Sequence, residues 1–209
     1  MASDGIAFIL TDVPADRLLA LAAAGRATGT TLFNIRAPDD ALRQQNCRAN
    51  AIHIAPSRSM LTDALGQYLV WKQWSRWVLA YGSHPEDALL ADAWRRTAKR
   101  FGANIVKQQE FKDTSGARQT DSGVGQVQQQ LPVFTQWLPD HDVLIAADEN
   151  DVFAVCLPYR TGDARLVAGS AGLRSVSWDP NSESWGGTQI QDRFIRMAHR
   201  LMTELDMQA

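Results

Sequence analysis

The chain has 209 residues, of which 45% are hydrophobic and 21% are charged. This length is sufficient for one substantial core or for two smaller lobes. The formal net charge of -2 and the pI near 6.1 leave no basic surface that could recruit a phosphate backbone, and the Lys and Arg residues are scattered. Nucleic acid is therefore excluded as an expected partner.

The sequence also predicts no direct membrane insertion and no export signal. No run approaches the roughly 20 apolar residues of a membrane-spanning helix. The first residues, MASDGIAFIL, lack a basic region followed by a long apolar core and a cleavage site. Since the first apolar run begins at Gly5 with almost no leader, we expect a chain that starts inside a fold, as a fragment or a trimmed protein would.

Neither a metal nor a cofactor is predicted. Cys47 and Cys156 have no CxxC or Cys/His spacing around them, so a zinc site is not expected; they form one disulfide or are two buried thiols. The turns LTDVPA, AYGSHPED and AADEND match neither the GxGxxG pattern of dinucleotide binding nor the GxxxxGKS/T pattern of phosphate binding. The GxSxG motif of hydrolases is also missing from the sequence.

The first part of the chain alternates between strand and helix patterns. The apolar run at 5–10 predicts a strand, and residues 14–25 predict a helix that begins at a proline and ends at a glycine. A second strand is predicted at 31–35, a turn or short helix at 36–43, and a third strand at about 51–54.

The middle of the chain contains the clearest strand-helix-strand unit. Strands are predicted at 77–81 and, beyond the helix-ending Gly102, at 103–109. The helix between them has one apolar stripe: Leu90, Trp94, Thr97, Ala98 and Phe101. The helix before them also places a set of residues on one face: Leu61, Ala64, Leu65, Tyr68 and Lys72.

Further elements follow a polar segment. Residues 112–123 predict an exposed loop, and a helix at about 122–131 is expected to stop near Pro132. Strands are predicted at 142–147 and 165–170. A short helix is expected between them, with Val152, Phe153 and Cys156.

The last part of the chain combines an irregular segment with a patterned helix. The segment at 171–187 holds Trp178 and Trp185, whose aromatic side chains could form the wall of a ligand pocket. The final helix has apolar residues at a spacing of 3.6: Ile190, Phe194, Met197, Leu201 and Leu205.

Strands that alternate with helices predict an α/β fold with parallel sheets flanked by helices, because parallel strands need a crossover connection. In such sheets, ligands bind beyond the carboxyl ends of the strands. The residues predicted at these ends are Thr11 and Asp12, 34–36, 55–57, 81–83 and 148–150.

The residues at these ends leave several kinds of chemistry open. Asp148 and Glu149 follow a predicted buried strand and could act as acid and base, as metal ligands, or as the receptor of a ligand cation; Asp148 could equally cap the next helix. Arg36 could bind a carboxylate with two hydrogen bonds, or it could be an ordinary surface arginine. His84 could form a catalytic triad with a nearby serine and Asp148, although a helix-start residue is the simpler interpretation.

Three stretches resemble type I periplasmic substrate-binding proteins of the branched-chain amino acid type. They are LFNIRAPDDALRQQNCRANAIHIAPSRSMLTDALGQYL, WVLAYGSHPEDALLADAWRRTAKRFGANIV and LIAADENDVFAVCLPYRTGDARLVAGSAGL. Within that family, they are similar to the ABC transporter substrate-binding proteins encoded with pyrroloquinoline quinone-dependent alcohol dehydrogenase systems. The resemblance covers nearly the whole chain, but only the middle of a full-length family member.

The resemblance implies two α/β lobes that close on a small molecule. It implies a partial first lobe at 1–52, a second lobe at 53–170, and a crossing segment with a return helix at 171–209. The implied ligand-binding residues of the first lobe are Thr11, Asp12, Arg36 and Ala37, and those of the second lobe and the crossing are Ser57, Tyr81, Asp148 and Glu149. Ser83, after a predicted strand, and Trp178, in the irregular segment, complete the predicted ligand-binding residues. Family members that bind amino acids hold the ammonium through an acid on the second lobe. Here LTDVP replaces a serine-rich loop, and Arg36 stands where a small residue is usual.

The sequence therefore predicts a non-catalytic solute-binding component of an ABC importer. The resemblance implies membrane subunits of the transporter as partners and the periplasm as the location of the full-length protein. Two other hypotheses stay open: a doubly wound α/β enzyme that uses Asp148 or Glu149, and a ligand-sensing domain that signals to another partner.

Overall fold

The chain folds into two compact units in a computed structural model, which describes residues 5–112, 121–181, 183 and 186–209, without the side chains of residues 121–125. The first unit lies within Met1–Ser57 and Val176–Ala209, and the second is Arg58–Ser175. Every described strand pair is parallel, and helices flank the sheets, which confirms the predicted α/β fold.

The first unit contains a three-stranded parallel sheet in the order β1-β2-β3. Its strands are β1 (Phe8–Thr11), β2 (Thr31–Asn34) and β3 (Ala51–His53). Its helices are α1 (Ala15–Gly25), α6 (Gly187–Ala198) and α7 (Glu204–Gln208), with short 3-10 helices at Arg26–Thr28 and Asp40–Arg43.

The core of the first unit lies on one face of its sheet. Leu18 and Ala22 of α1 pack with Leu32 of β2. Ala37 and Leu42, from the chain after β2, complete this group, and all five side chains are at most 2% exposed. A core of this size is small, so the first unit gains limited stabilisation from apolar burial.

The opposite face of the first sheet is apolar and exposed. Because side chains alternate along a strand, Phe8 and Leu10 point away from the core, and the register places Phe33 and Ile52 in the same row as Leu10. Phe8, Leu10 and Ile52 are 68%, 53% and 49% exposed, and the ring centroids of Phe8 and Phe33 are 6.1 Å apart. Parallel sheets usually have both faces covered, so this exposed face is unusual.

The final helix is shorter than the sequence predicts. α6 ends at Ala198, and α7 begins only at Glu204. His199 has a left-handed backbone (φ 55) that stops α6, and the Thr203 side chain accepts a hydrogen bond from a backbone N–H of α7 and so caps that helix. Met197 is 84% exposed. The prediction of one helix with a continuous apolar stripe was therefore wrong, because local end signals interrupt it.

The second unit contains a four-stranded parallel sheet in the order β5-β4-β6-β7. Its strands are β4 (Arg76–Gly82), β5 (Asn104–Phe111), β6 (Val143–Ala147) and β7 (Leu166–Gly169). Its helices are α2 (Arg58–Trp71), α3 (Pro85–Phe101), α4 (Asp121–Phe134) and α5 (Leu157–Arg160), with a 3-10 helix at Ala154–Cys156.

Helix α4 ends close to the position that the sequence predicts. The helix ends at Phe134, two residues after Pro132, so it stops near the proline as predicted. Residues 113–120, most of the predicted exposed loop, lie outside the described residues.

Both faces of the second sheet are buried. Trp77 and Leu79 point to the face covered by α2 and α3, where the ring of Trp77 meets that of Trp94 edge to face at 5.7 Å. Val78 points to the other face and packs in the same cluster as Phe153. Because each face has its own core, the second sheet is a more rigid platform than the first.

Helix α2 packs closely on its neighbours through a glycine. A Cβ at Gly66 would overlap the Thr97 side chain and lie 3.3 Å from Trp77. The face of α2 that contains Gly66 is the buried one, and its buried residues are Arg58, Thr62, Leu65, Gly66 and Leu69. The predicted face of α2 differs from the buried one, since Tyr68 is 41% exposed and Lys72 lies beyond the end of the helix.

An ion-pair network links α2 to α3. The Asp63 carboxylate is 2.8 Å from Nη2 of Arg96 and 2.6 Å from Nη1 of Arg100, and it accepts a hydrogen bond from the Thr97 hydroxyl at 2.7 Å. Burial tends to raise the pKa of the Asp63 carboxyl, but the hydrogen bonds and charges of its partners outweigh burial and lower that pKa.

We expect Asp63→Asn to lower the free energy of unfolding at pH 7 by about 1 kcal/mol, since the arginine partners are largely exposed. The stabilisation by Asp63 is present above the pKa of a free aspartate, about 3.9, and is lost as the pH falls through the lower pKa of the folded state. Urea denaturation from pH 7 to pH 2.5 tests this, with the exposed Asp163→Asn as control. Equal pH dependence of the wild type and Asp63→Asn would contradict the prediction.

Candidate functional site

The candidate site of the second unit lies at the topological switch point of its sheet, where the chain changes from adding strands on one side of β4 to adding them on the other. From β4 the chain crosses through α3 to β5 on one side, and α4 then leads to β6 on the other side of β4. The carboxyl ends of β4 and β6 are neighbours, with Tyr81 paired to Ala147. In open α/β sheets, such a switch point is the usual place of a ligand. The structure thus brings 81–83 and 148–150 to one edge, as predicted.

Asp87, in the first turn of α3, joins the ends of these two strands. One carboxylate oxygen accepts hydrogen bonds from the backbone N–H of Glu149 at 2.7 Å and from the side-chain amide of Asn150 at 3.2 Å. The other oxygen accepts from the backbone N–H of His84 at 3.2 Å. Asp87 is 0% exposed, and the sequence did not single it out as a site residue. The sequence signal that could have identified it is an acid three residues after the N-cap residue, His84.

Asp148 is a buried cap. Its Oδ1 accepts from the backbone N–H of Val152 at 3.0 Å, and its Oδ2 accepts from Phe153 and Ala154 at 2.7 and 2.8 Å. Its own N–H donates to the Ser170 hydroxyl at 2.9 Å. With 1% exposure and three backbone donors, Asp148 fixes the turn after β6. Of the open hypotheses for Asp148, the geometry favours the cap over an acid or base.

Glu149 forms a two-bond ion pair with Arg58. Nε of Arg58 donates to Oε1 at 2.8 Å, and Nη2 donates to Oε2 at 2.7 Å. The side chains are only 6% and 24% exposed. Arg58, the first residue of α2, was missed because it is 91 positions from Glu149, and no local pattern indicates so distant a partner.

The carboxyl end of β4 places its residues in different environments. Tyr81 is half-buried, and the guanidinium of Arg95 lies 5.3 Å from its ring centroid. Ser83 is exposed. His84 precedes Pro85 at the start of α3, which confirms the simpler interpretation of this histidine.

We expect Gly82→Ala to destabilise the second unit by about 2–3 kcal/mol. A Cβ at this position would overlap the Asp87 carboxylate, which is fully buried and cannot move away. Gly162→Ala is the control, because the nearest atoms to its added Cβ are at 3.7 Å, an ordinary contact. Urea denaturation should separate the two variants, and equal stability would show that Asp87 does not fix this turn.

The first unit groups four predicted residues at the ends of β1 and β2. The Thr11 hydroxyl donates to the Phe33 carbonyl at 2.9 Å and is buried, so it holds the two strands together. Nη1 of Arg36 lies 3.2 Å from Oδ1 of Asp12, and these side chains are 62% and 46% exposed. Ala37 is 1% exposed and belongs to the core.

Asn34, fully buried at the end of β2, shapes this edge. Its Oδ1 accepts from the backbone N–H groups of Arg36 and Ala37 at 3.1 and 2.8 Å. Its Nδ2 lies 3.1 Å from Nδ1 of His53. Burial and the charge of Arg43 lower the pKa of His53, which favours the neutral ring that can accept this hydrogen bond. The turn therefore presents Arg36 from a fixed backbone.

The remaining predicted ligand-site residues are Ser57 and Trp178. Ser57 is 2% exposed. Trp178 is half-buried, and its indole N–H is buried without a hydrogen-bond partner among the described residues. Trp185 lies outside the described residues. The two cysteines are free thiols, which confirms that alternative over a disulfide; Cys156 is buried as expected, whereas Cys47 is exposed and its expected burial was wrong.

The described part of the chain contains cavities but no group of metal ligands. Two cavities of about 540 Å³ border α4 in the second unit, and Val133 lines both, yet neither is lined by a predicted site residue. No three His, Cys, Asp or Glu side chains gather into a possible metal site in the described ranges. None of the described helices has the length and apolar character needed to cross a membrane.

The fold is similar to solved ligand-binding proteins of ABC transporters. A branched-chain amino acid ABC transporter periplasmic ligand-binding protein from Burkholderia xenovorans has a TM-score of 0.73 and 17% identity, over 98% of this chain and 57% of that one. An ABC transporter substrate-binding protein from Desulfitobacterium hafniense, in complex with Leu, has 0.68 and 14%, over 99% and 62%. An R. palustris solute-binding protein, in complex with benzoate, has 0.66 and 10%, over 99% and 59%.

These similarities show the fold alone: parallel α/β units of the kind found in these solved ligand-binding proteins. No protein-family model and no curated protein matches the chain. The chain spans 57–62% of the length of the three solved structures.

Proposed function

We propose that the chain is the solute-binding component of an ABC importer, or a part of one, and that it binds a small molecule without transforming it. The observation that carries this proposal is the position of the candidate residues in a fold shared with such proteins. They lie at the carboxyl ends of parallel strands and, in the second unit, at the switch point of the sheet. Thr11, Asp12, Arg36, Ala37, Ser57, Tyr81, Ser83, Asp148, Glu149 and Trp178 remain our proposed ligand-site residues.

A binding role suits the acids of the second unit better than catalysis does. A general acid or base must reach the substrate proton. Asp148 is 1% exposed and accepts three backbone N–H groups, and Glu149 is bound by Arg58. The solved structures named above are binding proteins, which supports the same choice.

The proposal also covers the location of the protein, its transporter partners and the process that it serves. We propose that the full-length protein works in the periplasm, delivers its ligand to membrane subunits of an ABC transporter, and serves alcohol oxidation by pyrroloquinoline quinone-dependent dehydrogenases. The support is the resemblance of residues 32–69, 77–106 and 144–173 to binding proteins encoded with those dehydrogenases.

Thermal unfolding in the presence of candidate ligands tests this function. The panel consists of alcohols, carboxylic acids, amino acids and pyrroloquinoline quinone. A ligand at 100 times its Kd should stabilise the protein by about 2.7 kcal/mol and raise Tm accordingly. Ser83→Trp, at the exposed end of β4, should abolish this rise, whereas Ala88→Trp, on an exposed position of α3, should preserve it. A panel without any stabilising member would contradict the proposal.

A further inference from the structure

We propose that the ligand is a small carboxylate that carries no ammonium group. This inference rests on the proposed solute-binding function and adds the chemical class of the solute. It follows from a comparison of the charged side chains at the carboxyl ends of the strands in each sheet. Some of these side chains already bind other groups of the protein, whereas others are exposed to solvent.

The buried acids at the switch point are fully used by the protein. Asp87 and Asp148 are 0% and 1% exposed, and each accepts three hydrogen bonds from nearby N–H groups. A ligand ammonium would have to displace these donors and leave them buried without partners, which is unfavourable. Neither acid can therefore serve as an ammonium receptor.

The third acid, Glu149, is held by Arg58 through two short hydrogen bonds. Only 6% of the Arg58 side chain is exposed, so removing Glu149 from it would leave a buried positive charge without its partner. An ammonium ion cannot offer the planar two-bond geometry that a carboxylate and a guanidinium share. Arg58 thus takes the acid that an amino acid ligand would need.

Arg36 in the first unit is in the opposite situation. It touches Asp12 through a single nitrogen at 3.2 Å, and 62% of its side chain is exposed. Exposed ion pairs of this kind contribute little and open readily. A guanidinium with several donors is suited to bind a carboxylate with two hydrogen bonds. The first unit therefore offers a carboxylate receptor, whereas the second unit offers no ammonium receptor among these three acids.

Asp12 is the acid that could contradict this inference. It is 46% exposed and lies beside Arg36, so an amino acid could in principle place its ammonium there. In our proposal Asp12 instead competes with the ligand carboxylate for Arg36. The two arrangements predict opposite effects of Asp12→Asn, which should strengthen binding about 2- to 5-fold if Asp12 competes, and should weaken binding if Asp12 holds an ammonium.

Calorimetric titration of the 209-residue chain with matched ligand pairs tests the inference. The pairs are leucine with 4-methylpentanoate and phenylalanine with 3-phenylpropanoate, which differ only in the ammonium group. We expect the acid of at least one pair to bind at least about 10-fold more tightly than its amino acid, because burial of an unpartnered ammonium is unfavourable. Tighter binding of the amino acid in both pairs would overturn the inference.

Variants of Arg36 identify the carboxylate receptor. Arg36→Gln should weaken binding of the acid at least about 10-fold, because it removes the charged donors. Arg17→Gln, on an exposed position of α1, is the matched control and should leave binding unchanged. Equal losses in the two variants, or none in either, would overturn the role of Arg36.

Failure of this inference is distinguishable from failure of the proposed function. If alcohols or the quinone stabilise the chain while neither member of any pair binds, the carboxylate class is wrong and the solute-binding function stands. If no compound of either panel binds, both proposals are wrong.

Discussion

Asp148→Ala is expected to lower the free energy of unfolding of the second unit by about 3–5 kcal/mol, because three buried backbone N–H groups lose the carboxylate that accepts from them. Those donors belong to the turn after β6 and to the first residue of the following 3-10 helix, where water cannot easily replace the carboxylate. Asp148→Asn should be less harmful, since an amide oxygen can still accept, but its NH₂ group would face backbone donors.

Urea denaturation followed by circular dichroism measures this effect, with exposed Asp163→Ala as the control for loss of a carboxylate. The same variant separates the functional hypotheses. If Asp148→Ala folds with wild-type stability yet loses ligand binding or a turnover activity, Asp148 acts on a ligand and the cap assignment is wrong.

Arg58→Met is expected to destabilise the second unit by about 3–5 kcal/mol, because Glu149 would remain largely buried without its counter-charge. Glu149→Gln should cost less, since the amide oxygen can still accept one hydrogen bond from Arg58 and the glutamate side chain is the more exposed of the two. The double variant Arg58→Met with Glu149→Leu should recover a substantial part of the loss, because it leaves no unpaired charge.

A double-mutant cycle by urea denaturation measures the coupling between these two side chains. Arg76→Met provides the control, since its ion pair with Asp140 is exposed, at 47% and 67%, and its loss should matter by less than about 1 kcal/mol. Additive effects of the Arg58 and Glu149 substitutions would show that the pair is not coupled and would also weaken the argument about the ligand class.

The order of strands and helices was predictable because each element carries its own local sequence signal. β4 and β6 are short apolar runs, and α3 combines Pro85 near its start with Gly102 directly after its end. The edge at which candidate residues gather was predictable too, since parallel strands bring their carboxyl ends together. These features depend on residues within one turn or one strand of each other.

The partners within the site were not predictable in the same way. Arg58 and Glu149 are 91 residues apart, and Asp87 and Glu149 are 62 apart, so each contact depends on how the sheet is assembled. Arg58 lies at a helix start where the sequence pattern gives no reason for burial. The sequence also suggested one continuous final helix, because the apolar spacing persists through His199, whereas the left-handed backbone there depends on local conformation.

The exposed apolar face of the first sheet has a consequence for motion. β1 to β3 have a core on one face, whereas β4 and β6 are buried on both. Local opening therefore exposes less apolar surface in the first sheet and requires less free energy. Amide protons of Leu32 and Asn34 should exchange with solvent sooner than those of Leu79 and Ile145, because local opening of the first sheet should occur more often than opening of the strands at the switch point.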